Sequence, residues 1–296
     1  MKKPIFTGSG VAIVTPMNPD GSVNYDELGR LIDFQIENGT DAIIACGTTG
    51  ESATLDHEEH CNVIKYTIEK VNKRVPVIAG TGSNDTAYAI ELTKEAKKMG
   101  ADAVLSVTPY YNKTSQAGLV AHFKAIAEAV DIPMIVYNVP SRTGCNIQPA
   151  TYVELSKIPN IVATKEAGEK VGEVAKIISM CGDDLDIYTG CDDLTVPVMS
   201  LGGIGVISVF ANVCPKEMHE ITQLCLDGDF AKASKMHLHY LELMNALFCD
   251  VNPIPVKEAV NMIGFNAGNC RLPLVPLSEK SNEYLKSVMD KYGLLK

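Results

Sequence analysis

No Cys-x-x-Cys pair occurs in this chain, and its nine cysteines stand at wide, irregular spacings. That excludes a zinc ribbon and a dense disulfide scaffold. Cys46, Cys145 and Cys191 fall in apolar or glycine-rich stretches, which suits reduced thiols packed as small hydrophobes in the cytosol. No dense run of lysine and arginine appears, and the formal net charge is −10, so a nucleic-acid partner is set aside. No uninterrupted apolar run approaches the roughly 18 residues that a membrane span needs. Lys2 and Lys3 look like the start of a signal peptide, but Pro4, Thr7, Gly8, Ser9 and Gly10 break the apolar stretch that should follow. A cytoplasmic protein with no membrane partner is expected. HExxH is absent, and no Asp/Cys cluster accompanies His57 and His60, so no metal is expected. His237 and His239 read as surface or packing residues.

What is present is a repeating plan. Of the 296 residues, 46% are hydrophobic and 21% charged, enough to bury a sizeable core. Short apolar runs occur at Val11–Thr15, Ala42–Cys46, Val75–Ala79, Ala103–Thr108, Met134–Asn138, Ile161–Lys165, Leu185–Gly190 and Gly205–Val209. They start roughly every 28 residues, close to the length of a β-plus-α unit. Continuous rather than alternating apolar runs are what parallel strands buried on both faces require. The segments between them read as helices. Asn24 followed by Glu27 suggests a capping box, and Ala89, Leu92, Ala96 and Met99 form a stripe ended by Gly100.

Eight such units predict an α/β fold, a (β/α)8 TIM barrel, for which about 250 residues are typical. An open doubly wound sheet is the competing arrangement. Its glycine-rich dinucleotide turn should follow the first strand, where Pro16-Met17-Asn18-Pro19-Asp20-Gly21 stands instead. Beyond about residue 214 the apolar runs cease, and Pro215–Leu226, Phe230–Cys249, Pro255–Ile263 and Glu279–Tyr292 read as helices. The expected organisation is a catalytic barrel over 1–228 and a small C-terminal helical domain over 229–296.

A barrel of this kind places its active site at the C-terminal ends of the strands. Lys165 closes the run Ile161-Val162-Ala163-Thr164 and so should enter a partly desolvated pocket. Desolvation lowers a lysine's pKa and frees the amine, which can attack a ketone to form a Schiff base. The alternative is an ion pair with Glu166 or Glu51. Tyr137 ends the preceding strand, where it can move protons for Lys165 or simply sit as a rim residue with a satisfied hydroxyl. Gly47-Thr48-Thr49-Gly50 lacks the lysine of a phosphate loop, and its hydroxyls and amides suit a carboxylate, or it is an ordinary tight turn. Arg142, in Pro140-Ser141-Arg142-Thr143-Gly144, suits bidentate recognition of a carboxylate or a surface ion pair. Asp192-Asp193 resembles a helix N-cap.

Gly47-Thr48-Thr49-Gly50-Glu51, the stretch Tyr137 to Gly144, the stretch Ile161 to Gly168 and Asn252-Pro253-Ile254-Pro255-Val256-Lys257 together resemble the pyruvate-dependent class I aldolases, the N-acetylneuraminate lyase family, over essentially the whole chain. Within that family the likeness is to the branch that joins pyruvate to aspartate semialdehyde on the way to diaminopimelate and lysine. The resemblance implies Lys165 as the Schiff-base lysine, with pyruvate held covalently and no other cofactor. It implies a proton relay of Tyr137, Thr48 and Tyr111, with Tyr111 reaching in from a neighbouring subunit. Thr48 and Thr49 would hold the pyruvate carboxylate, Arg142 that of aspartate semialdehyde, and Gly190 and Ile207 would contribute backbone near the lysine. Members of the family that cleave sugar acids generally lack the arginine, so Arg142 separates the two substrate classes. A non-catalytic keto-acid binder on a barrel is the third reading, against which the trio Tyr111, Tyr137 and Lys165 argues. The family is often a homotetramer built as a dimer of dimers. Some members bind lysine as an inhibitor, and the matching positions here are Ser52, Ala53, Leu55, His57, His60, Asn84, Tyr88 and Tyr110. Lysine-sensitive members commonly carry glutamate where this chain has Tyr88, and Asp85 replaces a small neutral residue, so weak or absent inhibition is expected.

Overall fold

The computed structural model describes residues 2–295. Eight parallel strands pair in sequence order: β1 (Gly8–Ala12), β2 (Ala42–Ala45), β3 (Val77–Gly80), β4 (Ala103–Val107), β5 (Met134–Asn138), β6 (Ile161–Glu166), β7 (Asp186–Thr189) and β8 (Gly205–Ser208). β8 pairs with β1 and closes the sheet, so the fold is a (β/α)8 TIM barrel. The closure depends on glycine. Gly8 and Gly205 are register partners, and a Cβ on Gly205 would lie 2.2 Å from the Gly8 carbonyl oxygen. This accounts for the one strand displaced from its apolar run. Gly8-Ser9-Gly10 reads as a chain breaker, yet β1 begins there because the closing strands approach too closely for larger side chains. The other runs match their strands to within a few residues.

Side chains alternate in and out of the barrel, as the period of a strand demands. The interior holds Ile44, Ile78, Leu105, Ile135, Tyr188 and Ile207, and at its lower end Phe6 stacks on Tyr188 with centroids 4.4 Å apart. The Tyr188 hydroxyl donates to the Phe6 carbonyl at 2.7 Å, so the one polar atom of the plug is satisfied. Outward residues such as Ile43, Val104 and Val136 pack with helix residues such as Leu28, Phe123 and Ile126 in a second apolar layer.

Helix Tyr25–Glu37 begins as expected at Asn24, whose side chain accepts from the Glu27 amide at 3.1 Å. Glu27 does not complete a capping box. Its carboxylate binds Arg30 and the Asn266 amide instead, joining the first helix to the C-terminal segment. A complete box caps helix His57–Val71, through Asp56 and Glu59. Gly100 ends helix Thr86–Met99 in the left-handed conformation, as expected. The last barrel helix is Pro215–Leu226. Three more follow, Phe230–Ala246, Ile254–Met262 and Glu279–Lys291, each ending one to three residues earlier than its sequence pattern.

One buried ion pair ties these helices to the barrel mouth. Glu51 and Lys257 meet at 2.6 Å, each side chain only 1% exposed. The other Glu51 oxygen accepts from the Arg271 amide at 2.8 Å, and the Lys257 ammonium also donates to the Asn269 carbonyl at 3.0 Å. Removing one partner strands the other charge, which typically costs about 3–5 kcal/mol, whereas replacing both is far milder. Glu51→Gln or Lys257→Met alone should therefore lower unfolding free energy in urea by about 3–5 kcal/mol, with Glu51→Gln/Lys257→Met recovering much of the loss. Additive losses in the double variant would show that the two charges are not coupled.

Candidate active site

β5 and β6 set Tyr137 and Lys165 side by side, since these residues are direct register partners. Both point inward, and the Lys165 ammonium lies over the Tyr137 ring, 4.4 Å from its centroid. Their neighbours Asn138 and Glu166 point outward. Glu166 accepts from Asn138 Nδ2 at 3.0 Å, from the Tyr152 hydroxyl at 2.8 Å and from the Gly168 amide at 2.8 Å. Neither acid proposed from sequence as an ion-pair partner is therefore free for Lys165, because Glu166 faces the helices and Glu51 holds Lys257. Among the described residues no carboxylate lies within 4.0 Å of the Lys165 ammonium.

Electrostatics follow from this burial. Loss of water brings the Lys165 ammonium down from 10.5 to about 8, opposed by the nearby Asp192 carboxylate. A substantial share of free amine is thus present just above neutral pH. Burial pushes the Tyr137 phenol up to about 12, against the Arg142 guanidinium and the Thr48 hydroxyl, which favour its ionised form. A phenol that stays protonated can donate to an oxygen developing charge beside it.

These side chains face a cleft of about 500 Å³ at the C-terminal ends of the strands, with Thr48, Thr49, Tyr137, Arg142, Lys165 and Gly190 in its wall. Thr49 Oγ1 accepts from Asn252 Nδ2 at 3.1 Å, and Arg142 donates to the Asn252 backbone carbonyl at 3.0 Å. Asn252 thus bridges the threonine turn and the arginine loop. No single-residue signal in the sequence pointed to that, although it opens the Asn252-to-Lys257 motif. Asp192 is the second residue that sequence reasoning read differently. It caps no helix. Its carboxylate is buried and accepts from the amides of Val209 and Phe210, at 3.1 and 2.9 Å, just beyond β8.

Two predicted residues are not among those whose side chains line this cleft. Ile207 is buried inside the barrel on β8, and Val209 forms the cleft wall after that strand. Tyr111 is 92% exposed and outside its own chain's cleft. Of the eight positions matched to lysine binding, Ser52, Ala53, Leu55, His60, Tyr88 and Tyr110 line a second cleft of about 460 Å³. The two clefts share Thr48, Val139, Arg142 and Asn252. His57 stands behind Tyr88, with Nδ1 3.4 Å from its hydroxyl, and Asn84 lines a separate hollow beside His122. His60 is buried, and its Nε2 donates to the Gly80 carbonyl at 2.7 Å.

Fold and cleft together define a TIM-barrel protein with a desolvated lysine at the end of β6, aimed into a polar pocket. Residues 5–292 match the model of the dihydrodipicolinate synthetase family. The chain is 58% identical to the 4-hydroxy-tetrahydrodipicolinate synthase of Acetivibrio thermocellus, with 100% of each chain covered. It superposes with a TM-score of 0.96 on the chloride-inhibited dihydrodipicolinate synthase of Acinetobacter baumannii complexed with pyruvate, at 48% identity over 98% of this chain and 99% of that one. The Cyanidioschyzon merolae enzyme with lysine bound gives a TM-score of 0.96 at 42% identity, over 99% and 100% of the two chains. The chain belongs to the dihydrodipicolinate synthetase family.

Gly190 stands in the cleft wall close against Lys165. A Cβ there would sit 2.9 Å from both Lys165 Cε and Ala167 Cβ. Gly190→Ala should displace Lys165 and reduce turnover on the order of a hundredfold. Full activity in that variant, by initial rates, would show that the lysine has room to spare.

Proposed function

We infer that the protein is a lyase that condenses pyruvate with L-aspartate 4-semialdehyde to give 4-hydroxy-tetrahydrodipicolinate, an early step towards diaminopimelate and lysine. The observation that carries the chemistry is Lys165: buried, without a carboxylate in contact, with its ammonium lowered to about 8, and packed on Tyr137. Its free amine attacks the ketone carbon of pyruvate. Proton transfers through Tyr137 and Thr48 let the hydroxyl leave as water and give a protonated imine. That cation draws electrons from the adjacent methyl group, which loses a proton to form an enamine. The enamine carbon then attacks the aldehyde, whose oxygen takes up a proton, and the imine to Lys165 re-forms. The amino group of the aldehyde substrate attacks that imine carbon, closes the ring and expels Lys165 as a free amine, so the lysine itself supplies the electron sink and is regenerated. Thr48 and Thr49 hold the pyruvate carboxylate, with Gly190 and Ile207 contributing backbone near the lysine. Arg142, anchored on Asn252, receives the carboxylate of the aldehyde substrate. Tyr111 completes the relay from a second copy of the chain, within a homotetramer built as a dimer of dimers.

In this scheme residues 1–228 form the catalytic barrel, and 229–296 form a helical domain that buttresses its mouth through Lys257 and Asn252. The protein acts in the cytoplasm. Among the described residues no helix is long and apolar enough to cross a membrane.

Incubation with pyruvate followed by borohydride should reduce the imine and leave an adduct on Lys165, found by peptide mass spectrometry. Trapping should grow as pH rises through about 8, because the amine must be unprotonated to attack. An adduct on another lysine, or none, sinks the mechanism. Arg142→Ala should lose most activity with aspartate semialdehyde while still trapping pyruvate. An unchanged rate would remove the role given to the arginine.

The second cleft is the place for a lysine effector. Tyr88 there offers a phenol, not a carboxylate, to an incoming ammonium. Millimolar lysine should therefore inhibit initial rates weakly or not at all, and strong inhibition would show that other groups supply the missing charge.

A further inference from the structure

Several features of the molecule remain outside the scheme above, and the most informative is Asp192. It lies in the 3₁₀ turn Asp192–Leu194 that follows β7, in the wall of the same cleft as Lys165. One carboxylate oxygen, Oδ2, is held by the two amides past β8. The other, Oδ1, is buried and has no hydrogen-bond partner among the described residues. A buried carboxylate with an unpartnered oxygen is costly unless a positive charge faces it. The cleft wall has two other carboxylates, Glu169 and Asp193, and both are exposed, where water screens them.

We propose that Asp192 is the counter-ion of Lys165 through the reaction, balancing first the ammonium and then the protonated imine. The proposal rests on the Schiff-base reading. Lysine carries a positive charge before attack and the imine carries one after dehydration, at nearly the same place. Asp192 touches neither the substrate nor a reacting bond in this account. It is a positioning residue that acts through the lysine.

The surrounding groups leave the pair isolated in the working pH range. Burial pushes the Tyr137 phenol and the Cys191 thiol each up to about 12. The Arg142 guanidinium is the other basic group in the cleft wall. His237, on helix Phe230–Ala246, donates from Nε2 to the Asp193 carbonyl at 3.0 Å, and burial lowers its pKa from 6.5. Met244 and Asn245 of that helix, and Phe210 to Asn212 after β8, carry no charge. Burial raises Asp192 to about 6, opposed by the Ser208 hydroxyl and the Phe210 and Val209 amides, so it is largely ionised where Lys165, at about 8, begins to lose its proton.

Asp192→Asn keeps an acceptor for both amides and removes only the charge. Without it the ammonium is less stable, so the acid limb of kcat/KM for pyruvate should move down by about one pH unit. The imine cation loses the same support, so kcat should fall on the order of tenfold, the factor that one unit represents. Borohydride trapping on Lys165 in the unaltered protein is measured alongside. Absence of that adduct would sink the Schiff-base reading itself, and the counter-ion with it. With the adduct present, a loss of kcat at an unmoved limb would mark a merely structural role and overturn the proposal, as would wild-type behaviour. Far-UV circular dichroism and thermal melting check folding. Should Asp192→Asn not fold, Ser208→Ala serves. It removes a hydroxyl that favours the carboxylate, and should move the acid limb of kcat to higher pH. An unmoved limb there overturns the proposal equally.

Discussion

Closure of the sheet between β8 and β1 is the constraint from which the rest follows. An open parallel sheet spreads its strand ends along a line, whereas a closed one gathers eight of them around a single mouth. In this chain closure demands backbone contact at Gly8 and Gly205, where a single added Cβ would force the strands apart. Once closed, the inward face of every strand is a layer of one packed core, and its last inward residue has nowhere to go but the mouth. Tyr137 and Lys165 are both such residues. The lysine's lowered pKa is then a result of the fold, since the barrel wall removes water and neither neighbouring glutamate is turned inward to replace it.

Glu51 and Lys257 extend that logic to the C-terminal helices. The pair carries charge in a place that hydrophobic residues would fill more cheaply, and such pairs are weak as general stabilisers. What it gives here is placement. It fixes the residue after the threonine turn against the helix after Asn252, and Asn252 in turn contacts Thr49 and Arg142. Two loops far apart in sequence are held in one orientation by groups that bear no part in bond making.

Much of this was legible before any coordinates. Eight continuous apolar runs at a steady interval announced a parallel barrel, and a lysine closing the sixth stood out because the lysines on helix faces have polar neighbours. The misreadings have physical causes. Gly8-Ser9-Gly10 reads as a breaker because nothing local shows how near the closing strand lies. Glu27 resembles the second half of a capping box, but its carboxylate serves the Asn266 amide, more than two hundred residues away. Asp192 resembles an N-cap because an acid after a glycine near a helix usually is one, yet its partners are amides across the barrel mouth.

The sequence by itself determined the strand count, the order of the units, the chemistry available at each strand end and the resemblance that names a substrate class. Those are properties of local pattern, since periodicity and turn residues act over a few positions. Only the tertiary structure decided which acid faces which base. Glu166 and Glu51 were both open to Lys165 on sequence grounds, and the barrel turned one outward to Tyr152 and gave the other to Lys257. Whether a carboxylate faces in or out, and whether water reaches it, depends on residues distant in the chain. For that reason the desolvated lysine, its neighbour Tyr137 and the buried Asp192 meet in one cleft only when the sheet closes.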